Sequence, residues 1–236
     1  VSRSRHPASR TGPHHFVVQP WHGRSAIASV GLNRNNSAPT RCNVERLVDE
    51  LLSVGYSRAF TAALRPQEAQ PFLNAGFRAL EDLAVLRHGL CLPLATPTAT
   101  HRRARRKDHL GVLTLDNRAF GDFWRLDSVS LKEALQATTT ARFRVSTQGD
   151  AIVGYAVCGQ SAGIGYLQRL GVAPESFGHG IGSALVMDAL KWCKRRGASH
   201  ALVNTQLTNL RALRLYRHLG FLEEKERLYV LEWTPE

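Results

Sequence analysis

Residues 170–183 read Leu-Gly-Val-Ala-Pro-Glu-Ser-Phe-Gly-His-Gly-Ile-Gly-Ser. The apolar run Ile164–Val172 ahead of this stretch reads as a strand. The apolar spacing over 180–196 reads as a helix. The stretch therefore joins a strand to a helix through a glycine-rich loop. The first N–H groups of a helix lack internal partners and carry partial positive charge. Glycine lets the backbone approach an anion with no Cβ in the way. Gly178, His179, Gly180, Ile181, Gly182 and Ser183 are thus candidates for a phosphate cradle. An ordinary glycine turn is the alternative. No Lys-Ser/Thr pair follows the loop, so it is not a Walker A motif. No carboxylate stands around Ala201–Thr205 to bind a ribose, as a dinucleotide site would need.

Downstream lies Asn209-Leu-Arg-Ala-Leu-Arg-Leu-Tyr-Arg-His-Leu-Gly-Phe221. Its apolar spacing predicts a helix over 209–219, with Ala212, Leu215 and Leu219 on one face. Two helical turns separate Asn209 from Tyr216, which places them near one side. Between these landmarks, Ala201–Thr205 reads as a buried strand and Leu222–Leu231 as a last extended run. Upstream, Asp108–Phe120 and Ser128–Thr138 read as helices, the latter capped by Ser128. Ala141–Thr147 and Ala151–Cys158 form a hairpin through Gln148-Gly149-Asp150.

The N-terminal half has its own elements. Short strands are expected at His15–Gln19 and Ser25–Gly31, and a helix from Val44 that Gly55 stops. Arg58–Leu64 and Ala79–His88 read as strands, with a helix opened by Pro66 between them. Residues 44–88 repeat the order of 186–231: helix, glycine, strand, helix, Gly-Phe, strand. Gly76-Phe77 corresponds to Gly220-Phe221, which suggests a degenerate tandem repeat. Residues 1–15 are polar, basic and broken by Pro7 and Pro13, and read as a disordered tail. Residues 92–101, rich in proline and threonine, read as a linker. The expected division is 16–91 and 102–236.

Together the glycine loop and the later helix resemble the GNAT acetyltransferase superfamily across roughly residues 100–232. The family's Gln/Arg-x-x-Gly-x-Gly/Ala appears as Phe177-Gly-His-Gly180-Ile-Gly182. Its Asn-x-x-Ala-x-x-x-Tyr appears as Asn209, Ala212 and Tyr216, followed by Gly220-Phe221. Phe177 departs from the pattern. The resemblance implies an α/β fold: a mixed, mostly antiparallel sheet flanked by helices. It implies acetyl-CoA as co-substrate and no metal. The strands 164–172 and 201–205 would splay, with the pantetheine arm between them. Leu170, Gly171 and Val172 would pair with that arm, and the Val172 N–H would polarise the thioester carbonyl. Asn209 would also bond the arm, and Tyr216 would protonate the departing thiolate. The alternative for Tyr216 is a packed core aromatic.

The same resemblance makes Phe120–Asp127 an acceptor wall, with Phe120 and Trp124 lining it and Asp127 attracting an ammonium. A turn with its aromatics in the core is the alternative. Tyr166, Gln168, Asn204, Glu133 and Asp127 are candidates to manage the amine proton; a water held by Asn204 is the preferred arrangement. His179 and His218 read as solvent-facing. In the first repeat Phe72 replaces Tyr216 and Arg65 replaces Asn209, and no GxG precedes its helix. That half is expected to be structural.

Apolar residues make up 43% and charged residues 21% of the 236, the profile of a globular chain with no membrane span. Four cysteines in no paired spacing suggest free thiols in a reducing cytoplasm. The net charge of +12 would attract an anionic cofactor. It collects in separate clusters rather than one stripe, so nucleic acid is not the expected main partner. The expected reaction is direct transfer of acetyl to an amine: a protein N-terminus, a lysine or a small molecule. A non-catalytic acyl-CoA sensor is the alternative. Oligomeric state is not readable.

Overall fold

A computed structural model describes residues 10–11, 15–33, 36–91 and 99–235. Most of the expected tail and linker therefore lies outside the described residues. The chain forms two compact units, Val1–Ala84 with Lys225–Glu236, and Val85–Glu224.

The elements run β1 (Arg10–Thr11), β2 (Phe16–Trp21), β3 (Arg24–Leu32), α1 (Arg41–Val54), β4 (Arg58–Thr61), α2 (Pro66–Leu73) and β5 (Arg78–His88). They continue as β6 (Arg102–Arg103), α3 (His109–Ala119), α4 (Ser128–Gln136), β7 (Thr140–Gln148), β8 (Ala151–Ser161) and β9 (Ile164–Val172). Then follow α5 (Ile181–Arg195), β10 (His200–Gln206), α6 (Leu210–His218) and β11 (Leu222–Trp233). The chain passes between units within β5 and again within β11.

In the first unit the strand order is β1-β2-β3-β4-β11. All pairs are antiparallel except β3 and β4. The last strand of the chain closes this unit, Glu232 opposite Phe60 and Trp233 opposite Ala59. Helix α1 forms because Val44, Leu47 and Leu51 recur on one buried face. The Thr40–Asn43 capping box starts it, and Gly55 ends it at φ 91°. Phe72 of α2 packs edge-on against Phe16 and Phe77, with ring centroids 5.7 and 5.1 Å away.

In the second unit the order is β10-β9-β8-β7-β6, antiparallel except for β9 with β10. Val112 and Leu115 of α3 and Leu131 of α4 pack on Val145, Val153, Tyr155 and Val157 of one face. Helix α5 covers the other face, and two glycines admit it. A Cβ on Gly154 would lie 2.5 Å from Ile181 Cγ2, and one on Gly165 would lie 2.5 Å from Cys193 Sγ. This is the expected mixed, mostly antiparallel sheet flanked by helices. The two units share a device: β3–β4 and β9–β10 are both parallel pairs of four residues joined through a helix.

One local reading is corrected. Ser128 is not the cap of α4; Asp127 is, its Oδ1 accepting from the N–H groups of Val129 and Ser130 at 3.0 and 2.7 Å. A carboxylate suits this end because it also meets the positive pole of the helix.

Candidate active site

Strands β9 and β10 run together only from Ile164↔His200 to Leu167↔Val203. Beyond Leu167 no strand pairs with the upper half of β9 on that side among the described residues. On its other side it stays paired with β8, but the register slips. Val157 faces Arg169 while Cys158 faces Leu167, so Gln168 is an extra residue, a β-bulge. The Gln168 Oε1 is buried and has no hydrogen-bond partner among the described residues.

The Ala173 N–H donates to the Val153 carbonyl of β8 at 2.9 Å. Antiparallel strands alternate their bonding direction. The N–H and C=O of Val172 and Leu170 therefore turn away from β8, toward the side that β10 has left. Gly171 sits between them because a Cβ there would lie 2.4 Å from Tyr155 Cε1.

The loop after β9 ends in Gly178 and Gly180, at φ 82° and 74°. A Cβ on Gly178 would meet nothing within 4 Å among the described residues. Gly180 is the N-cap of α5 and offers no side-chain hydrogen bond. The first intrahelical bond is Ala184 N–H to the Gly180 carbonyl, 2.9 Å. The N–H groups of Ile181, Gly182 and Ser183 therefore have no intrahelical acceptor. The first unit differs at the same place. Thr40 and Asn43 cap α1 with their own side chains, the Thr40 N–H donating to Asn43 Oδ1 at 2.9 Å. That helix start is satisfied internally, and this one faces outward.

Helix α6 adjoins the corner. A Cβ on Gly182 would be 3.3 Å from Leu215 Cδ2 and 3.7 Å from Val172 Cγ2. The end of β9, the start of α5 and α6 thus converge. Asn209 caps α6, its Oδ1 accepting from the Ala212 N–H at 3.1 Å; the cap uses only the amide oxygen. Tyr216 is buried, 5% exposed, with its ring centroid 5.5 Å from that of Phe221. Burial pushes its phenol well above the ordinary tyrosine value, and the charge of Arg169 opposes that rise. The hydroxyl therefore keeps its proton at neutral pH.

Phe177 is 37% exposed, and the Arg211 guanidinium carbon stands 3.6 Å above its ring. A cation from α6 thus stands beside the loop. Asn204 follows the last paired residue of β10 and is exposed, as are His179 and His218. Tyr166 is half-buried and lies opposite Leu202. Phe120 and Trp124 belong to the α3–α4 connection, where the Trp124 carbonyl accepts from Arg169 at 2.5 Å. Asp127 is engaged as a helix cap.

Sequence reasoning missed Arg169, Asp116 and Tyr155, which form one hydrogen-bonded group. The available signal was Asp116 itself, a carboxylate beside Val112 and Leu115 on the apolar face of α3.

An open-edged strand feeding a glycine-rich corner, with a buried phenol on the next helix, is the arrangement that this α/β unit presents. The family model described as Acetyltransferase (GNAT) family matches residues 110–221. The chain therefore carries a GNAT-type domain over these residues. It is 29% identical over 245 residues to mycothiol acetyltransferase of Acidimicrobium ferrooxidans, covering 93% of this chain and 74% of that one. The mycothiol acetyltransferase of Thermobispora bispora is 29% identical over 168 residues, 63% of this chain. The match spans only 57% of that relative's length. A solved tandem GNAT protein from the clavulanic acid biosynthesis pathway shares the fold, with a TM-score of 0.66 at 15% identity, covering 94% of this chain and 79% of that one. Among the described residues, no helix is long and apolar enough to cross a membrane.

Proposed function

We propose that residues 102–236 carry an acetyl-CoA-dependent N-acetyltransferase that works by direct attack in a ternary complex. The first repeat serves as a structural, GNAT-like half. The observation that carries this reading is the upper edge of β9: Leu170 and Val172 turn their backbone groups outward, where no strand pairs with them among the described residues, ahead of a helix start with no side-chain cap. Such an edge accepts an amide-bearing arm as an added strand. The Gly178–Ser183 loop receives the diphosphate on main-chain N–H groups, and Arg211 adds a cation beside it.

In this reading the amine nitrogen attacks the thioester carbonyl, whose oxygen takes a hydrogen bond from the Val172 N–H. The C–S bond breaks as the C–N bond forms. Tyr216 gives its proton to the departing sulfur and is reprotonated by the proton that the amine releases through water near Asn204. The unpaired Gln168 Oε1 offers an acceptor to an amine N–H; a buried acceptor left alone costs about 1–3 kcal/mol, so an ammonium or amine satisfies a standing need. The resemblance to mycothiol acetyltransferases favours an amine on a small molecule, and a peptide N-terminus remains the comparison substrate.

The test is thiol release from acetyl-CoA with glucosamine, an unblocked alanyl peptide and an N-terminally blocked lysyl peptide. Tyr216→Phe is expected to slow turnover about 10²-fold or more while acetyl-CoA still binds, as read by calorimetry. Binding without turnover in the parent, on every acceptor, would identify an acyl-CoA sensor instead. Calorimetry with no heat of binding would remove the reading altogether.

A further inference from the structure

Asp116 is 0% exposed. An isolated charge there would cost several kcal/mol, yet this carboxylate is fully partnered. Oδ1 accepts from the Leu126 N–H at 2.5 Å and from Arg169 Nη2 at 3.0 Å. Oδ2 accepts from Arg169 Nε at 2.9 Å and from the Tyr155 hydroxyl. Arg169 does more than neutralise it. Its Nη2 also donates to the Trp124 carbonyl at 2.5 Å, and its guanidinium carbon lies 3.6 Å over the Phe120 ring.

Three contacts thus reach into one connection, residues 120–127: the Leu126 amide from Asp116, and the Trp124 carbonyl and Phe120 ring from Arg169. Arg169 itself stands on β9, directly after the Gln168 bulge and directly before Leu170, where the strand's edge opens. Satisfying Asp116 requires only the guanidinium fork. The extra bond and the stack spend the rest of that planar group on the loop. Its charge also acts on the Tyr216 phenol across the opening.

We infer that Arg169 is a positioning residue, which registers the loop 120–127 against the end of β9 and so sets acceptor affinity. This rests on the acetyltransferase reading for its consequence, though not for the loop geometry. Lysine keeps the charge but has no fork to bond Asp116 and Trp124 at once, and no plane to lie on Phe120.

The experiment uses the full chain. Hydrogen exchange is followed in Arg169→Lys with and without acetyl-CoA, beside steady-state kinetics with the best of the three acceptors named above. The expected result is exchange in 120–127 faster by about tenfold, with acetyl-CoA protection of 177–184 retained. Acceptor KM rises about tenfold, since small misplacements carry large kinetic penalties, and acetyl-CoA KM stays within about twofold. Tyr155→Phe removes one bond to Asp116 and one from Arg169 Nε but no loop contact, so it moves neither exchange in 120–127 nor acceptor KM. If Arg169→Lys does not fold, Asp116→Asn with Arg169→Gln removes both charges together and is measured in its place. Unchanged exchange in 120–127, or acceptor and acetyl-CoA KM rising together, overturns the assignment. A parent enzyme in which acetyl-CoA protects no part of 177–184 fails the acetyltransferase reading separately, and the 120–127 exchange still decides the role of Arg169.

Discussion

Replacing Gly178 by alanine separates backbone conformation from packing at the glycine corner. Its φ is 82°, and an added Cβ would meet nothing within 4 Å. No clash contributes, so the whole penalty is the left-handed conformation, about 1–2 kcal/mol for a residue with a Cβ. The loop can relieve that strain by leaving the left-handed region, which turns the N–H groups of His179 and Gly180 away from their common target. Binding must then restore the conformation, and a penalty of about 1–2 kcal/mol corresponds to roughly a 5- to 30-fold rise in acetyl-CoA Kd. Gly163→Ala is the matched control. Its φ is 73°, its added Cβ would also meet nothing within 4 Å, and it lies in the β8–β9 turn. Calorimetric titration and thermal melts of both variants make the comparison. Both should lose similar stability, and only Gly178→Ala should lose affinity. Equal affinity in the two variants would refute the role given to the corner.

Two further outcomes follow from packing and charge. Asp188 of α5 pairs with Arg142 at 2.7 Å and with Arg144 and His101 at 3.3 and 3.2 Å. Burial alone would raise its carboxyl, but the Arg142 hydrogen bond and the two arginine charges prevail and bring it down to about 2. A depressed carboxylate stabilises the fold above its unfolded pKa, about 3.9, and that contribution, about 2 kcal/mol, disappears as pH falls from roughly 5 to 2. Acid titration of Asp188→Asn should lack this component, and its melt at pH 7 should be lower. Gly154→Ala would force a Cβ to 2.5 Å from Ile181 Cγ2 and 3.2 Å from Leu185 Cδ1. Overpacking of this kind costs about 1–3 kcal/mol, read as a lower Tm, and should weaken acetyl-CoA binding because the first turn of α5 is what moves.

Much of the second unit was legible because its signals are local. The bounds of β9, Ile164–Val172, follow from an apolar run, and the β7–β8 hairpin follows from Gln148-Gly149-Asp150, where Gly149 takes φ 58°. The glycine corner was legible for the same reason. The capping role of Asp127 was not legible, because a carboxylate beside aromatics suggests a ligand as readily as a cap, and its bonds from the Val129 and Ser130 N–H groups are set only in the fold. The Asp116–Arg169 pair joins residues far apart in sequence, and no periodicity carries that information. The bulge at Gln168 is likewise a property of two strands in register.

The pairing of β4 with β11 has a consequence for the order of assembly. Arg58 and Glu232, which form an ion pair within the first unit, are 174 positions apart. A ribosome delivers Phe60 long before its neighbour Glu232, so the first unit stays incomplete until β11 emerges. Until then one flank of β4 is a bare ladder of donors and acceptors, the kind of edge that recruits foreign strands. Closing so wide a span is slow. A nascent chain stalled short of Tyr229 should therefore depend on chaperones to shield Arg58–Thr61, made long before the stall.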